Sequence, residues 1–313
     1  MKKIVIFGGG SGLSQLLKGL KLFPIDVTAV VSVSDNGRST GRLRKDYNIP
    51  AVGDITKVLL SMSECSNEIK DLMNYRFTKS KTLGNHSIKN LLLTALLDLK
   101  GDFASSLPIL VKLLDIKGNV LPLTEDNVDL VGITSEGKRL IGEEQITKTK
   151  KHIERICYSD EITVNPKVID AVKKADLIIF SSGSLITSII PHLLDSKLNN
   201  AIKNSKAKTM YVCNLFTQPG ETDDFKASDH INLLNSYLGK RKIDVGIFNR
   251  EHMDEELVQK YETEEQKDPV ILDKENLKDI EIIEEDLVTD TDGTFKHDTM
   301  RLAFLIFEYL LRK

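Results

Sequence analysis

Apolar positions recur along the chain in two periods, and their alternation sets the expected architecture. Residues 3–7 form a short apolar run of the kind buried in a parallel sheet, and residues 8–12 follow as a glycine turn. Leu13, Leu16, Leu17 and Leu20 then recur at helical spacing, and residues 27–33 are a second β-branched run ending near Asp35. Strand, glycine turn, helix and strand make the opening unit of a doubly wound sheet. Helical patterns resume over residues 55–62 and at Ile88, Leu91, Leu92, Ala95, Leu96 and Leu99. The rhythm breaks between about residues 115 and 160. There, residues 128–134, the turn 135–138 and residues 139–146 predict a β-hairpin inserted beside or over the main sheet. It returns with a helix opened by Asn165-Pro166, strands at 176–180, 208–213 and 243–248, and a helix over 228–238. Beyond residue 250 the chain is charge-rich, with a short strand near Val270 and a terminal helix from Asp298. The expected fold is α/β: a doubly wound, Rossmann-like, mostly parallel sheet over residues 1–250 with a small β-hairpin insertion. A C-terminal α/β appendage, residues 251–313, is expected to pack on it.

Bulk properties narrow the functional classes. With 313 residues and 41% hydrophobic content the chain can bury a large core. A net charge of -3 argues against a general nucleic-acid binder. Cys65, Cys157 and Cys213 are dispersed and odd in number, which speaks against a disulfide framework or a thiolate metal cage and for a reducing compartment. No stretch approaches the roughly 20 apolar residues of a membrane span, and the apolar run at the N-terminus is too short for a signal-peptide core. A cytoplasmic protein without membrane insertion is expected.

Five polar constellations punctuate this framework. Gly9, Gly10, Ser11 and Gly12 lie between a strand and a helix, where glycines admit an anion and helix N–H groups face it. Leu13 stands where a dinucleotide fingerprint would have its third glycine, and the Lys-Ser/Thr of a P-loop is missing. Asp35, Asn36, Arg38 and Ser39 belong to a stretch mixing acid, hydroxyls, glycines and arginines, suited to phosphate or Mg²⁺–phosphate. Asp54 is either a helix cap or a further oxygen ligand. His86 and Ser87 open an amphipathic helix, where His86 could donate to a phosphate or serve as acid or base. Ser182, Gly183, Ser184 and Leu185 repeat the strand-to-helix arrangement, as a second anion cradle or a plain capped turn. Asn214, Thr217 and Gln218, in the polar loop 214–222, could read a base or sugar.

Tyr261 and Lys296 complete the candidate site if the C-terminal segment folds back over it. Tyr261 would stack on base or sugar, and Lys296 would pair with a phosphate. Asp298 and Thr299 are also helix-cap chemistry, and Thr299 is placed where a kinase could phosphorylate it. No residue set has zinc spacing and no nucleophile motif is present, so no metal ligand set and no catalytic residue is expected from the residues alone. Mg²⁺ at Asp35 is the one cofactor left open.

Taken in order, these blocks resemble the CofD-like family. The resemblance is carried by residues 8–12 and 34–44, Gly53-Asp54, Tyr75-Arg76-Phe77, His86-Ser87 with Asn90-Leu91, and residues 118–122. It continues through Ala175-Asp176, Gly183-Ser184-Leu185 with Thr187-Ser188, and residues 214–222 with Asp229-His230. It runs from Ile4 to about Asn249, with a weaker echo beyond. The family contains 2-phospho-L-lactate transferases of deazaflavin coenzyme synthesis. It also contains bacterial gluconeogenesis factors that bind a UDP-sugar and are needed for cell shape. The loop 214–222 and the run Lys296-His297-Asp298-Thr299 are similar to the latter branch. Arg38 and Lys89 stand where the family usually has glycine, and Ser182 where it often has proline. The resemblance implies a UDP-N-acetylglucosamine-type ligand and a regulatory role in envelope growth under gluconeogenic conditions. A homodimer and envelope-synthesis or kinase partners stay open. The alternative it implies is a transferase moving a phospholactyl-type group from a nucleotide diphosphate. Asp35, holding Mg²⁺, and His86 would then be the catalytic residues.

Overall fold

Buried strands form where apolar residues run on, and their covering helices form where they recur every third or fourth position. The computed structural model describes residues 1–149, 151–250, 253–290 and 293–312. β1 (Lys3–Gly8) is buried from Ile4 onward and leads through Gly9 into α1 (Gly10–Leu20), whose four leucines face the core. β2 (Asp26–Val31) is followed by α2 (Arg38–Tyr47), α3 (Gly53–Met62), α4 (Asn67–Asn74), α5 (Ile88–Lys100) and α6 (Phe103–Leu113) before β3 (Asn119–Pro122). An inserted unit holds β4 (Leu130–Thr134), β5 (Arg139–Ile141), α7 (Glu143–Lys148) and β6 (Ile153–Tyr158). α8 (Pro166–Lys174) starts on Pro166 with Asn165 as its cap. β7 (Leu177–Phe180), α9 (Ser196–Asn204), β8 (Lys208–Val212), α10 (Ala227–Leu238) and β9 (Val245–Asn249) restore the alternation. The last elements are α11 (Glu255–Lys260), β10 (Glu281–Glu285), β11 (Val288–Asp290), β12 (Phe295–His297) and α12 (Thr299–Leu311).

Seven strands pair in parallel in the order β10-β9-β8-β7-β1-β2-β3, the doubly wound α/β arrangement that the alternation implies. The chain first winds outward through β2 and β3, then returns to β7 and winds the other way. The carboxyl ends of β1 and β7 therefore flank the reversal, the place where such sheets form a ligand crevice. One face of the sheet is covered by α1, α3 and α12, which share a core of Ile6, Leu17, Ile55, Leu302 and Ile306. Each such side chain contributes about 1.5–3 kcal/mol by leaving water. The other face buries Phe7, Val172, Phe180 and Leu234. The segment after residue 250 supplies the edge strand β10, whose Glu281, Glu284 and Glu285 discourage further pairing. No described helix is long and apolar enough to cross a membrane.

Three local expectations are corrected. The expected hairpin of the insertion forms, β4 pairing with β5 across the turn 135–138 and β6 adding a third antiparallel strand, but its second strand stops at Ile141. Residues 143–146 are helical because Gly142, at φ +92°, breaks the strand and two glutamates suit a first helical turn. Directly after β7, ahead of α9, the chain makes a π turn, Leu185–Ile189, and a 3₁₀ turn, Ile190–Leu193, in which Pro191 cannot continue an α-helical ladder. Near Val270 there is only an isolated bridge from Pro269 to Phe216, since proline has no N–H to extend a ladder.

Candidate functional site

The loop after β1 is glycine-rich because two backbones meet there. A Cβ on Gly12 would lie 1.9 Å from the Ser182 carbonyl oxygen, so the loops after β1 and β7 touch. The Gly10 N–H is taken by the Asp54 carboxylate, and the N-cap residue Gly9 offers no side chain of its own. From below, buried His192 donates through Nε2 to the Gly8 carbonyl (3.3 Å) and packs on Phe7. Burial lowers its pKa to about 4, so it holds the loop as a neutral ring.

The N-terminal half of α1 opens on a cavity of about 1070 Å³ at the carboxyl edge of the sheet. Ser11, Gly12, Ser14, Gln15 and Lys18 form its floor. On one side stand α3, α4 and α5 with Lys57, Lys70 and Lys89. On the other stand the loop 214–218, the π turn Tyr261–Glu265, Lys260, Lys267, and the β11–β12 hairpin with Phe295, Lys296 and His297. Phe216 stacks on Tyr261 (centroids 4.7 Å apart) and on Phe295 (5.4 Å), and the Tyr261 hydroxyl accepts from the Phe295 N–H (3.2 Å). His297 donates to the Cys213 carbonyl (3.1 Å), fixing the hairpin to the end of β8.

Of the residues expected from the sequence, Ser11, Gly12, Ser182, Gly183, Asn214, Thr217, Gln218, Tyr261 and Lys296 line this cavity. Their tasks differ from those expected. The Asn214 amide is committed to Gly183, donating to its carbonyl (2.8 Å) and accepting from its N–H (2.7 Å). Thr217 is buried and accepts from the Asp268 N–H (2.9 Å). Tyr261 is only 8% exposed, with one face covered by Phe216. The Oε1 of Gln218 and the Oγ of Ser14 are buried and have no hydrogen-bond partner among the described residues. Sequence reasoning does not single out Ser14, Lys18, Lys57, Lys70 or His192, and marks Lys89 only as a departure from the family's usual glycine. For Ser14 and Lys18 a signal exists: positions 11, 14, 15 and 18 form one polar stripe on α1.

The remaining expected residues lie behind the glycine loop or apart from it. Gly9 and Gly10 press on Ser188 and Asp54 beneath the cavity floor. Asp35 accepts from the Gly37 N–H (2.9 Å), and Asn36 accepts from the Glu144 N–H (3.0 Å), tying this stretch to the insertion. Ser39 is buried, and the Arg38 side chain lies outside the described residues. Ser184 accepts from the Thr187 N–H (2.8 Å) and donates to Glu221 (2.5 Å), which also accepts from the Ile186 N–H (3.4 Å). Ser184 and buried Leu185 thus serve the turn, whose N–H groups already have an internal carboxylate. His86 is buried away from the cavity. Burial and the charges of Arg42 and Arg76 lower its pKa against the pull of Asp46. Ser87 caps α5 by accepting from Asn90 (3.4 Å).

Asp35, Asp54 and Glu143 gather behind the loop. Burial, then the charge of Asp35, raises Asp54 to about 6. Burial, then Asp35 and Asp54, holds Glu143 far above the usual carboxylate range, hydrogen-bonded to Asp35. Burial raises Glu221 to about 7. Among the described residues no three His, Cys, Asp or Glu side chains are arranged to hold a metal ion.

At the switch point of a doubly wound sheet the chain thus presents a helix N-terminus and a lysine-lined cavity. The chain belongs to the CofD family: the model of 2-phospho-L-lactate transferase CofD matches residues 4–288. It is 41% identical over 311 residues to the gluconeogenesis factor of Bacillus subtilis (strain 168), covering 98% of both chains. It is 37% identical to the gluconeogenesis factor of Listeria monocytogenes, over 96% of this chain and 93% of that one. The crystal structure of a UPF0052 family member from Bacillus halodurans superposes with a TM-score of 0.94 at 36% identity, covering 98% of this chain and 99% of the other.

Proposed function

We propose that this chain binds a UDP-sugar of the UDP-N-acetylglucosamine type and acts as a regulatory protein of envelope growth under gluconeogenic conditions. One observation carries the reading: the first turns of α1, from Ser11 to Lys18, open into the same cavity as the Phe216–Tyr261–Phe295 stack, among seven lysines. Helix N–H groups and ammonium groups suit a diphosphate, and an aromatic edge suits a base. The relatives' name, gluconeogenesis factor, supports the regulatory half. Calorimetry with UDP-N-acetylglucosamine tests it. Lys296→Ala and Tyr261→Ala should each weaken binding by about tenfold or more, roughly 1.4 kcal/mol. Absence of binding by the parent overturns the reading. Parental affinity in both variants removes the C-terminal segment from the site.

A second reading, a phospholactyl-type transferase, is favoured by the family model and by the carboxylates behind the loop. Their oxygens suit Mg²⁺ chemically. Their arrangement does not offer a three-residue metal site, and neither Asp35 nor His86 lines the cavity, so no step is routed through a metal. A tenfold loss of UDP-sugar affinity on chelation would favour this reading over the first.

A further inference from the structure

The amino edge of the sheet, opposite the cavity, carries a second concentration of positive charge. Residues 165–210 hold seven lysines against three aspartates, although the whole chain is net negative. Four of these lysines, Lys173, Lys174, Lys197 and Lys206, line one groove of about 630 Å³ between α8 and α9, with Asn200 and Asn204 beside them and no acid in its lining. The loop before β9 adjoins it, since Arg241 donates to the Ala207 carbonyl (2.8 Å), and that loop adds Lys240 and Lys242. These six lysines are exposed, and none makes an ion pair among the described residues. The nearby aspartates are engaged elsewhere. Asp244 pairs with Lys208 (3.0 Å) and Arg241 (2.5 Å), Asp176 accepts from the Lys3 N–H (2.7 Å), and Asp195 caps α9 by accepting from the Leu198 N–H (2.8 Å). Asp170 lies in a neighbouring groove with Lys3 and Lys174. Helix dipoles explain part of the accumulation, because Lys173 and Lys174 close α8, where a cation is favourable. They do not explain Lys197, the second residue of α9, where the dipole opposes it, nor Lys206, Lys240 and Lys242, which stand in loops.

We infer that this lysine face docks on the surface of a membrane rich in anionic phospholipids, without inserting into it. The inference goes beyond the UDP-sugar reading and does not depend on it. Lysines are strongly hydrated point charges on flexible stems, and they meet laterally mobile headgroup phosphates without a fixed geometry. The face lacks what other anionic partners need. Arg241 is spent on Asp244 and the Ala207 carbonyl, so it offers no free guanidinium fork to a fixed phosphate. Among the described residues from 165 to 250 no large apolar or aromatic side chain is exposed. The face therefore has neither a stacking platform for a nucleic-acid strand nor an anchor for a protein partner. With this face on the membrane, the ligand cavity at the carboxyl edge stays open to water.

Co-sedimentation of the full chain with lipid vesicles tests this. Phosphatidylcholine vesicles containing about one-third phosphatidylglycerol should carry the protein down at low salt, and vesicles of phosphatidylcholine alone should not. Raising the salt from about 0.05 M to about 0.5 M should release it. Each lysine near such a surface is worth about fivefold in partitioning, so Lys173→Gln combined with Lys206→Gln should weaken binding by at least about tenfold. The melting temperature of that double variant should match the parent. Lys70→Gln, which removes a charge from the ligand cavity instead, should leave vesicle binding unchanged. Absence of binding to the anionic vesicles at low salt, binding that survives the double variant, or binding lost in Lys70→Gln overturns the inference. Release by millimolar inorganic phosphate at constant ionic strength would make the groove a site for a soluble anion. Tighter binding to single-stranded RNA than to vesicles, lost in the same double variant, would make it a nucleic-acid site. Either result overturns the membrane assignment.

Discussion

Ser14 carries a buried hydroxyl, 5% exposed, on the cavity floor with no hydrogen-bond partner among the described residues. An unpaired buried polar group costs stability in the free protein, and deleting it relieves that cost. Ser14→Ala should therefore leave the melting temperature of the free protein unchanged or slightly higher. It should also weaken UDP-sugar binding by roughly 2–10-fold, the worth of about 0.5–1.5 kcal/mol for one hydrogen bond. A clear drop in melting temperature with unchanged affinity would make Ser14 structural. At this scale the sequence is partly legible. The polar stripe of α1 is encoded by helical spacing, so Ser14 and Lys18 can be read from it. Lys57, Lys70 and Lys89 cannot, because only tertiary packing brings α3, α4 and α5 to one side of the cavity. Nor can spacing foretell that Asn214 spends its amide on Gly183.

Helix α12 shows how an element is defined by its start. The Asp298 carboxylate accepts from the N–H groups of Met300 (3.0 Å) and Arg301 (2.9 Å), and the helix then buries Leu302, Ala303, Ile306 and Leu310 beside α1. Asp298→Ala should cost about 1 kcal/mol and lower the melting temperature by roughly 2–4 °C. Asp298→Asn, which keeps a capping oxygen, should recover most of it. Equal loss in both variants would mean that charge and not capping sets the effect. Elements with their own start signals and periods, such as α1, α8 and α12, are legible along the chain. The insertion is legible only as its β4–β5 hairpin. In β6 the pair Glu154-Arg155 interrupts the alternation, and Gly142 diverts the expected second strand into α7. The turn after β7 is deceptive because Ser181–Ser184 looks like a helix entry, while Pro191 and the Glu221 carboxylate impose tighter and wider turns on the backbone beyond it.

For the whole molecule, buried titratable groups set opposing limits on the pH of greatest stability. His192, His230 and His297 are each lowered to about 4 by burial, so they stay neutral in the fold. In the unfolded chain they take up protons below about pH 6.5, which removes stability as pH falls through that point. The carboxylates act the other way. Asp54, Glu221 and Glu143 are raised to about 6, to about 7 and higher still, so the fold binds protons that the unfolded chain has already released. Their contribution is complete below the unfolded carboxylate pKa of about 4 and is lost as pH rises through the folded values. Between about pH 4.5 and 6.5 the two sets largely cancel, and above pH 6.5 the carboxylates act alone until Lys89 begins to titrate at about 8. The melting temperature of the free protein should therefore peak near pH 6–6.5 and fall toward pH 8. Each proton lost in that range removes at most about 1.4 kcal/mol per pH unit. Glu143→Gln retains a hydrogen-bonding group beside Asp35 but removes the proton that must leave. It should flatten the fall and raise the melting temperature at pH 8 above that of the parent. Thermal melts at constant ionic strength from pH 5 to 8 check this. A parent curve that climbs from pH 6.5 to 8, or a Glu143→Gln curve that runs parallel to it, would show that these carboxylates are already ionised in the fold.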